Sequence, residues 1–268
     1  MKLSILDISK NKIGEIELPS QFEEEFRPDL IQTAVLAIQS HKRQAHGASS
    51  EAGKRSSSKL SRRRRDYKGS YGYGISRVPR KIMSRSGTRM TWVGAFAPGT
   101  VGGRRAHPPK TEKIWWKKIN EQERKKAIRS AISATILKDI VAKRGHIVPD
   151  NYPFILDDKL ESINKTKDII HIFERLGLEN ELLRADEKKI RAGKGKSRGR
   201  KYKKKKGPLI VVSKVDNIKR AVANVPGVEV VDVKYLNAEL LAPGAKAGRL
   251  TIWTNAAINI LEKEKLFK

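Results

Sequence analysis

The chain contains no cysteine. That excludes a disulfide framework and any thiolate zinc site, and it fits a reducing cytoplasm. No run approaches the ~18 consecutive apolar residues of a membrane-spanning helix. The stretch from Met1 to Glu17 alternates apolar and polar residues, so no signal peptide is expected there. Acidic residues are scarce: 29 Asp and Glu stand against 58 Lys and Arg, a formal net charge of +29 over 268 residues. Such an excess opposes folding by self-repulsion unless a polyanion screens it. Nucleic acid is the commonest polyanion of that kind. An anionic membrane surface is the second candidate, and the lack of any apolar span weakens it.

The charge is unevenly placed. From His41 to Lys110 there are 18 basic and 2 acidic residues, and from Arg184 to Lys206 there are 13 and 2. The other 175 residues carry 27 basic and 25 acidic groups, so a nearly neutral body bears two strongly basic segments. The first segment holds ten of the chain's 20 glycines and few aliphatic residues. Alone in water it lacks the apolar surface to offset its ordering entropy. A loop of that length inside a compact domain is normally functional. The expected organisation is an α/β globular domain over 1–47 and 107–268. An extended basic loop over 48–106 interrupts it, and a second basic segment lies within it at 184–206.

The body shows strand and helix periods. Leu3, Ile5 and Ile8, a polar turn, then Ile13, Ile16 and Leu18 predict a hairpin. Ile31, Ala34, Val35 and Ile38 form one stripe of a helix over about 29–42. A second helix is expected from Glu121 to Arg144, with Asn120 and Glu123 as reciprocal caps and Gly145 as its stop. Short extended stretches follow at His146 to Val148 and Phe154 to Leu156. Ile169, Ile172, Phe173 and Leu176 then mark a helix ended by Gly177. Pro208 to Ser213 is a continuous apolar run suited to a strand buried on both faces. Asp216–Ala223 reads as a helix, Val228–Val233 as a strand, Asn237–Leu241 as a short helix and Leu250–Trp253 as a strand. Asn255 is the expected cap of a final helix. This alternation predicts an α/β fold with a mostly parallel sheet flanked by helices and a long basic internal loop extension.

Catalytic motifs are missing where they would be needed. Gly195-Lys196-Ser197 has the ending of a phosphate-binding loop, but Ile190 stands where the first glycine belongs, and no apolar strand leads in. Gly193, Gly195 and Gly199 miss the dinucleotide spacing. The five histidines form no metal pair, and His171 lies off the apolar face of its helix. Acidic residues are spread through helices, where solvated faces are the default. An RNA-modifying enzyme on an α/β fold would need a glycine-rich turn after an apolar strand or an acidic pair at strand ends, and neither is present. No catalytic residue, metal site, cofactor or small-molecule substrate is expected.

The basic segments have the composition of an RNA-binding surface. Guanidinium groups pair with phosphates, and flat rings stack on unpaired bases for about 1–3 kcal/mol each. In the first segment the candidate contacts are Lys54, Arg55, Lys59, Arg62, Arg63, Arg64, Arg65, Tyr67, Lys68, Tyr71, Tyr73, Arg77, Arg80 and Lys81. Where the loop returns they are Arg104, Arg105, His107, Lys110 and Lys113. In the second segment they are Lys189, Arg191, Lys194, Lys196, Arg198, Arg200 and Lys201. Trp115 and Trp116 suit either stacking on RNA or seating the returning chain. A general polyanion binder is the alternative; it should take DNA and RNA equally at matched salt.

Several blocks, in order, resemble the universal large-subunit ribosomal protein four family in its archaeal and eukaryotic form. Gly103-Arg104-Arg105-Ala106-His107-Pro108-Pro109-Lys110 is similar to the signature where the loop returns. Ala127–Thr135 with Arg144-Gly145-His146 is similar to the helix after it. Lys189–Gly195 with Arg198–Tyr202 resembles the second rRNA-contacting stretch, and Leu241-Ala242-Pro243-Gly244 with Gly248–Thr251 the C-terminal block. The resemblance implies a cytoplasmic protein of the large ribosomal subunit, with large-subunit rRNA and neighbouring subunit proteins as partners. It also implies a loop that reaches through rRNA towards the polypeptide exit tunnel and helps line it. By position the loop tip falls near Ser84 to Ala97, with Arg85, Gly87, Arg89, Met90 and Trp92 closest to the tunnel. The lack of a long lysine-rich extension at the C-terminus favours the archaeal form.

Overall fold

A computed structural model describes every residue except Ser56, Ser57, Lys59, Tyr67, Lys68 and Thr88. The expected contacts at Lys59, Tyr67 and Lys68 therefore lie outside the described residues. The strands are β1 (Lys2–Leu6), β2 (Lys12–Glu17), β3 (Arg80–Ser86), β4 (Arg89–Gly94), β5 (Ile155–Leu156), β6 (Lys188–Ile190), β7 (Tyr202–Lys204), β8 (Leu209–Val212), β9 (Glu229–Asp232) and β10 (Thr251–Thr254). The α-helices are α1 (Pro28–His41), α2 (Glu121–Ile136), α3 (Lys138–Arg144), α4 (Thr166–Leu176), α5 (Glu179–Asp186), α6 (Asp216–Val222), α7 (Ala238–Leu241) and α8 (Asn255–Lys263). The chain forms two compact units: Met1–Lys42 with Trp116–Lys268, and Arg43–Trp115.

The first unit is built on a six-stranded sheet of order β2-β1-β5-β10-β8-β9. Its pairs are parallel apart from the β1–β2 hairpin. The apolar run predicted at Pro208–Ser213 is β8, buried at every position. Alternate side chains of a strand point to opposite faces, so Leu209 and Val211 join one core while Ile210 and Val212 join the other. The first core is covered by α1, α2, α7 and α8, the second by α4 and α6. Ile169, Ile172, Phe173 and Leu176 are all buried, and Gly177 ends their helix in the left-handed conformation.

The expected single helix from Glu121 to Arg144 is broken at Leu137, whose ψ of 100° is extended. The Thr135 carbonyl, which a continuous helix would pair with the amide of Asp139, accepts from the buried Tyr152 hydroxyl instead. Asn120 stands at the N-cap without a side-chain capping bond. His146 to Val148 is not a strand. Thr254, not Asn255, caps the last helix, accepting from the Ala257 amide at 3.3 Å.

Two polar side chains tie the sheet. Arg249 is fully buried; it donates to Glu229 at 2.6 Å and to the carbonyls of Gly207 and Leu240 at 3.0 Å. Glu161 sits beyond the carboxyl ends of β8 and β10. It accepts from the Ser213 amide at 2.8 Å, from the Ser213 hydroxyl, and from the Thr254 hydroxyl at 2.7 Å.

Candidate nucleic-acid interface

The second unit, Arg43–Trp115, is not a featureless loop. Its region 80–94 is an antiparallel hairpin pairing Arg80 with Gly94, Ile82 with Trp92 and Ser86 with Arg89, with a bulge between Ile82 and Ser84. Gly87, between the strands, has φ +58°, which favours glycine. On β4 exposed Arg89, Thr91 and Val93 alternate with half-buried Met90, Trp92 and Gly94. The Arg80 guanidinium lies 5.6 Å from the Trp92 ring, and Tyr73 meets the same ring edge-on at 6.5 Å. Trp92, expected at the tip, is thus partly engaged within its own unit. Arg85 and Gly87 are exposed at the turn end of the hairpin.

The four arginines at 62–65 are displayed by a compact turn. The Ser61 hydroxyl donates to the Asp66 carboxylate at 2.5 Å, and the Gly69 amide to the Asp66 carbonyl at 3.1 Å. Both ends are pinned, and Arg62, Arg63, Arg64 and Arg65 stay exposed between them. Tyr71 is half-buried, with the Arg77 guanidinium 4.3 Å from its ring. Lys54, Arg55, Arg77, Arg104, Arg105, His107, Lys110 and Lys113 are exposed, and Arg80 and Lys81 half-buried. Trp115 packs within this unit: Arg43 lies 3.7 Å and Lys113 4.5 Å from its ring centroid, and the His46 ring stacks at 5.4 Å. Trp116, which belongs to the first unit, is 66% exposed and meets His41 edge-on.

The second basic segment is a short hairpin of the first unit. Lys188 to Ile190 pairs antiparallel with Tyr202 to Lys204. The Arg191 guanidinium donates to the carbonyls of Arg200 at 3.0 Å and Tyr202 at 3.3 Å, so it stiffens the hairpin. Lys189, Lys194, Lys196, Arg198, Arg200 and Lys201 are exposed around it. Gly195-Lys196-Ser197 lies in a 3-10 turn at the hairpin's end, away from any apolar strand.

One constellation escaped the reading of acidic residues as solvated. Glu181 on α5 is fully buried. It accepts from the Arg184 Nε and one terminal guanidinium nitrogen at 2.7 and 2.6 Å, from the Ile147 amide at 2.9 Å and from His146 Nδ1 at 2.6 Å. Burial pushes the His146 imidazole below its ordinary pKa, against the pull of Glu181. A neutral ring must then carry its hydrogen on Nδ1 to make that contact. Every Glu181 oxygen has partners within the fold, so the cluster braces the base of the second basic segment. Among the described residues no group of His, Asp or Glu could hold a metal ion, and no helix is long and apolar enough to cross a membrane.

The candidate interface is thus two displays of cations on glycine-rich or hairpin supports. Known proteins are similar to the chain over nearly its whole length. Residues 16–264 match the model of the ribosomal protein L4/L1 family. The chain is 50% identical to the large ribosomal subunit protein uL4 of Nanoarchaeum equitans, over the full length of both. It is 44% identical to that of Archaeoglobus fulgidus, over 97% of this chain and 98% of the relative. With that of Methanococcoides burtonii it shares 46% identity, over 97% of each. The family model spans the body and both basic segments together, and the chain belongs to the ribosomal protein L4/L1 family, in its archaeal form.

Proposed function

We propose that this protein, a structural constituent of the large ribosomal subunit and not an enzyme, binds and bridges large-subunit rRNA through its two basic segments. The loop of residues 48–106 reaches towards the polypeptide exit tunnel and helps line it. Neighbouring proteins of the subunit are the other partners, and the site of action is the cytoplasm. The observation that carries the reading is the placement of charge: a nearly neutral, well-packed body bears almost the whole excess of +29 on two segments whose cations are mostly exposed. Between phosphate walls that repulsive display becomes favourable, because each neutralised phosphate releases condensed counterions. A-form grooves hide base edges from side chains, so backbone and shape dominate the contacts, with Tyr71 and Tyr73 available to unpaired bases.

Binding of the full chain to a large-subunit rRNA fragment should show a log–log salt slope near about −9 if some ten phosphates are neutralised on duplex RNA. Deleting residues 48–106 should flatten it substantially. An unchanged slope would sink the loop's role. The tunnel assignment has its own test: with no native cysteine, a single one introduced at exposed Ser86, which pairs with Arg89 beside the turn, gives a unique cross-linking site on the tip. Nascent chains stalled on ribosomes carrying it should be captured; failure at Ser86 and at Arg89 alike removes the tip from the tunnel wall.

A further inference from the structure

We propose that a pocket on the globular body, centred on Arg144 and roofed by the base of the second basic segment, is a built seat for a backbone phosphate of RNA. This rests on the RNA-binding reading above and deepens it: Arg144 and Lys246 lie outside both basic segments, while Arg184, Lys203 and Lys204 belong to the second. The cavity is about 550 Å³, and eight of its twelve lining residues are Lys or Arg. Its floor is Arg144 at the end of α3 and Arg184 on α5. The turn at Pro243–Ala245, with Gly244 at φ +76°, closes one side. Lys203 and Lys204 from β7 and the exposed Lys246 stand around the mouth.

Charge compensation distinguishes Arg144 from the arginines near it. Arg184 is neutralised by Glu181, Arg249 by Glu229, and Lys205 by Glu187. Among the described residues Arg144 has no carboxylate partner. Its guanidinium donates to the carbonyls of Pro243, at 2.5 Å, and Lys246. Those bonds fix its orientation but supply no negative charge. Burial, with Arg249 and Arg184 adding repulsion, lowers its pKa to about 10. A half-buried cation held rigidly among other cations, in a concave site of this size, is arranged for an anion brought from outside. Three free lysines around the mouth suit a phosphodiester, whose neighbours along the chain are also charged, better than a lone carboxylate.

The test uses the full chain. Arg144→Gln would also loosen the Pro243–Ala245 turn, so the decisive variant is Lys203→Ala/Lys204→Ala/Lys246→Ala, three exposed side chains. Its control, Lys2→Ala/Lys165→Ala/Lys167→Ala, removes the same charge from elsewhere on the body. Binding to in vitro transcribed large-subunit rRNA is measured over a KCl series. The pocket variant should lose about two from the magnitude of the log–log slope, at ~0.9 per phosphate contact, and the control should match wild type. Equal slopes for the two variants overturn the pocket. A wild type without salt-sensitive binding overturns the RNA reading itself, which is a different result. A melting-temperature rise with inorganic phosphate that the pocket variant abolishes, beside an unchanged RNA slope, assigns the pocket to free phosphate and overturns the RNA assignment. If the pocket variant leaves the RNA slope unchanged but cannot be incorporated into large subunits, the seat belongs to an acidic segment of a neighbouring protein, and the proposal falls.

Discussion

Replacing Arg249 with alanine should be among the most damaging single changes to the body. The side chain is inaccessible to solvent and joins three elements: Glu229 on β9, the Gly207 carbonyl before β8 and the Leu240 carbonyl on α7. Burial lowers its pKa, and the Glu229 carboxylate opposes that shift. Breaking a buried ion pair by removing one partner costs about 3–5 kcal/mol. Glu229 keeps Lys206 as a partner and is one-third exposed, so the lower end, about 3 kcal/mol, applies. For a body of this size that corresponds to a fall in Tm of roughly 6–12 °C. Thermal unfolding followed by far-UV circular dichroism, at matched salt, reads this directly. A double-mutant cycle with Glu229→Ala should return a coupling of at least about 1 kcal/mol. A Tm within 2 °C of wild type, roughly 1 kcal/mol or less, would show that the fold does not depend on this anchor, and the reasoning would fail.

Three further outcomes can be stated. His146 has its folded pKa depressed by burial, while in the unfolded chain it titrates near about 6.5. The unfolded state therefore takes the proton first, and stability present above that pH is lost as pH falls towards the folded value. His146→Gln should flatten urea stability over this window, and an identical pH profile in the two proteins would contradict it. Glu161→Ala leaves the Ser213 and Thr254 donors without their shared acceptor. A loss of about 2–4 kcal/mol in urea unfolding is expected, and under 0.5 kcal/mol would show that water replaces the carboxylate. Gly248 has φ +87°, and a Cβ there would lie 2.7–2.9 Å from Ile140 atoms. Gly248→Ala should cost at least about 2 kcal/mol, since left-handed backbone alone costs 1–2; a neutral result by calorimetry would mean the α3 end yields freely.

The parts of the molecule legible beforehand are those where one local rule dominates. The β8 run, the α4 stripe and the glycine stops at Gly145 and Gly177 are set by apolar period and by a conformation glycine tolerates best, and both are visible in a string of letters. What stayed hidden depends on distant partners. The break at Leu137 goes with a hydroxyl seventeen residues along the chain taking the Thr135 carbonyl. Glu181 lies on a short polar helix, and its burial is stabilised by His146 and Arg184 meeting it in space. The β3–β4 hairpin was masked by its charge. Its signals were present, in the alternation of Met90, Trp92 and Gly94 with exposed residues and in Gly87 at the reversal, but seven-residue β3 has exposed side chains over half its length. Of the candidate interface, composition marks out the two basic segments, whose contact with RNA is the proposal. The guanidinium of Arg191 turned back on its own hairpin, and the pocket around Arg144 assembles residues a hundred positions apart.

The Glu161 carboxylate has a wider meaning for what this architecture can be used for. In open sheets of parallel strands, small molecules are held in the crevice beyond the carboxyl ends, where the strand order reverses. Here that reversal falls where the chain leaves β9 and returns to place β10 between β5 and β8. The chain fills the spot from within, bracing the ends of β8 and β10 with an internal strut. The room that enzymes of this layout keep open for a substrate is committed to cohesion. On the proposed function, recognition belongs instead to chain that departs from the sheet and comes back. A scaffold arranged in this way can change what it holds by altering its insertions, while the mount that carries them stays the same.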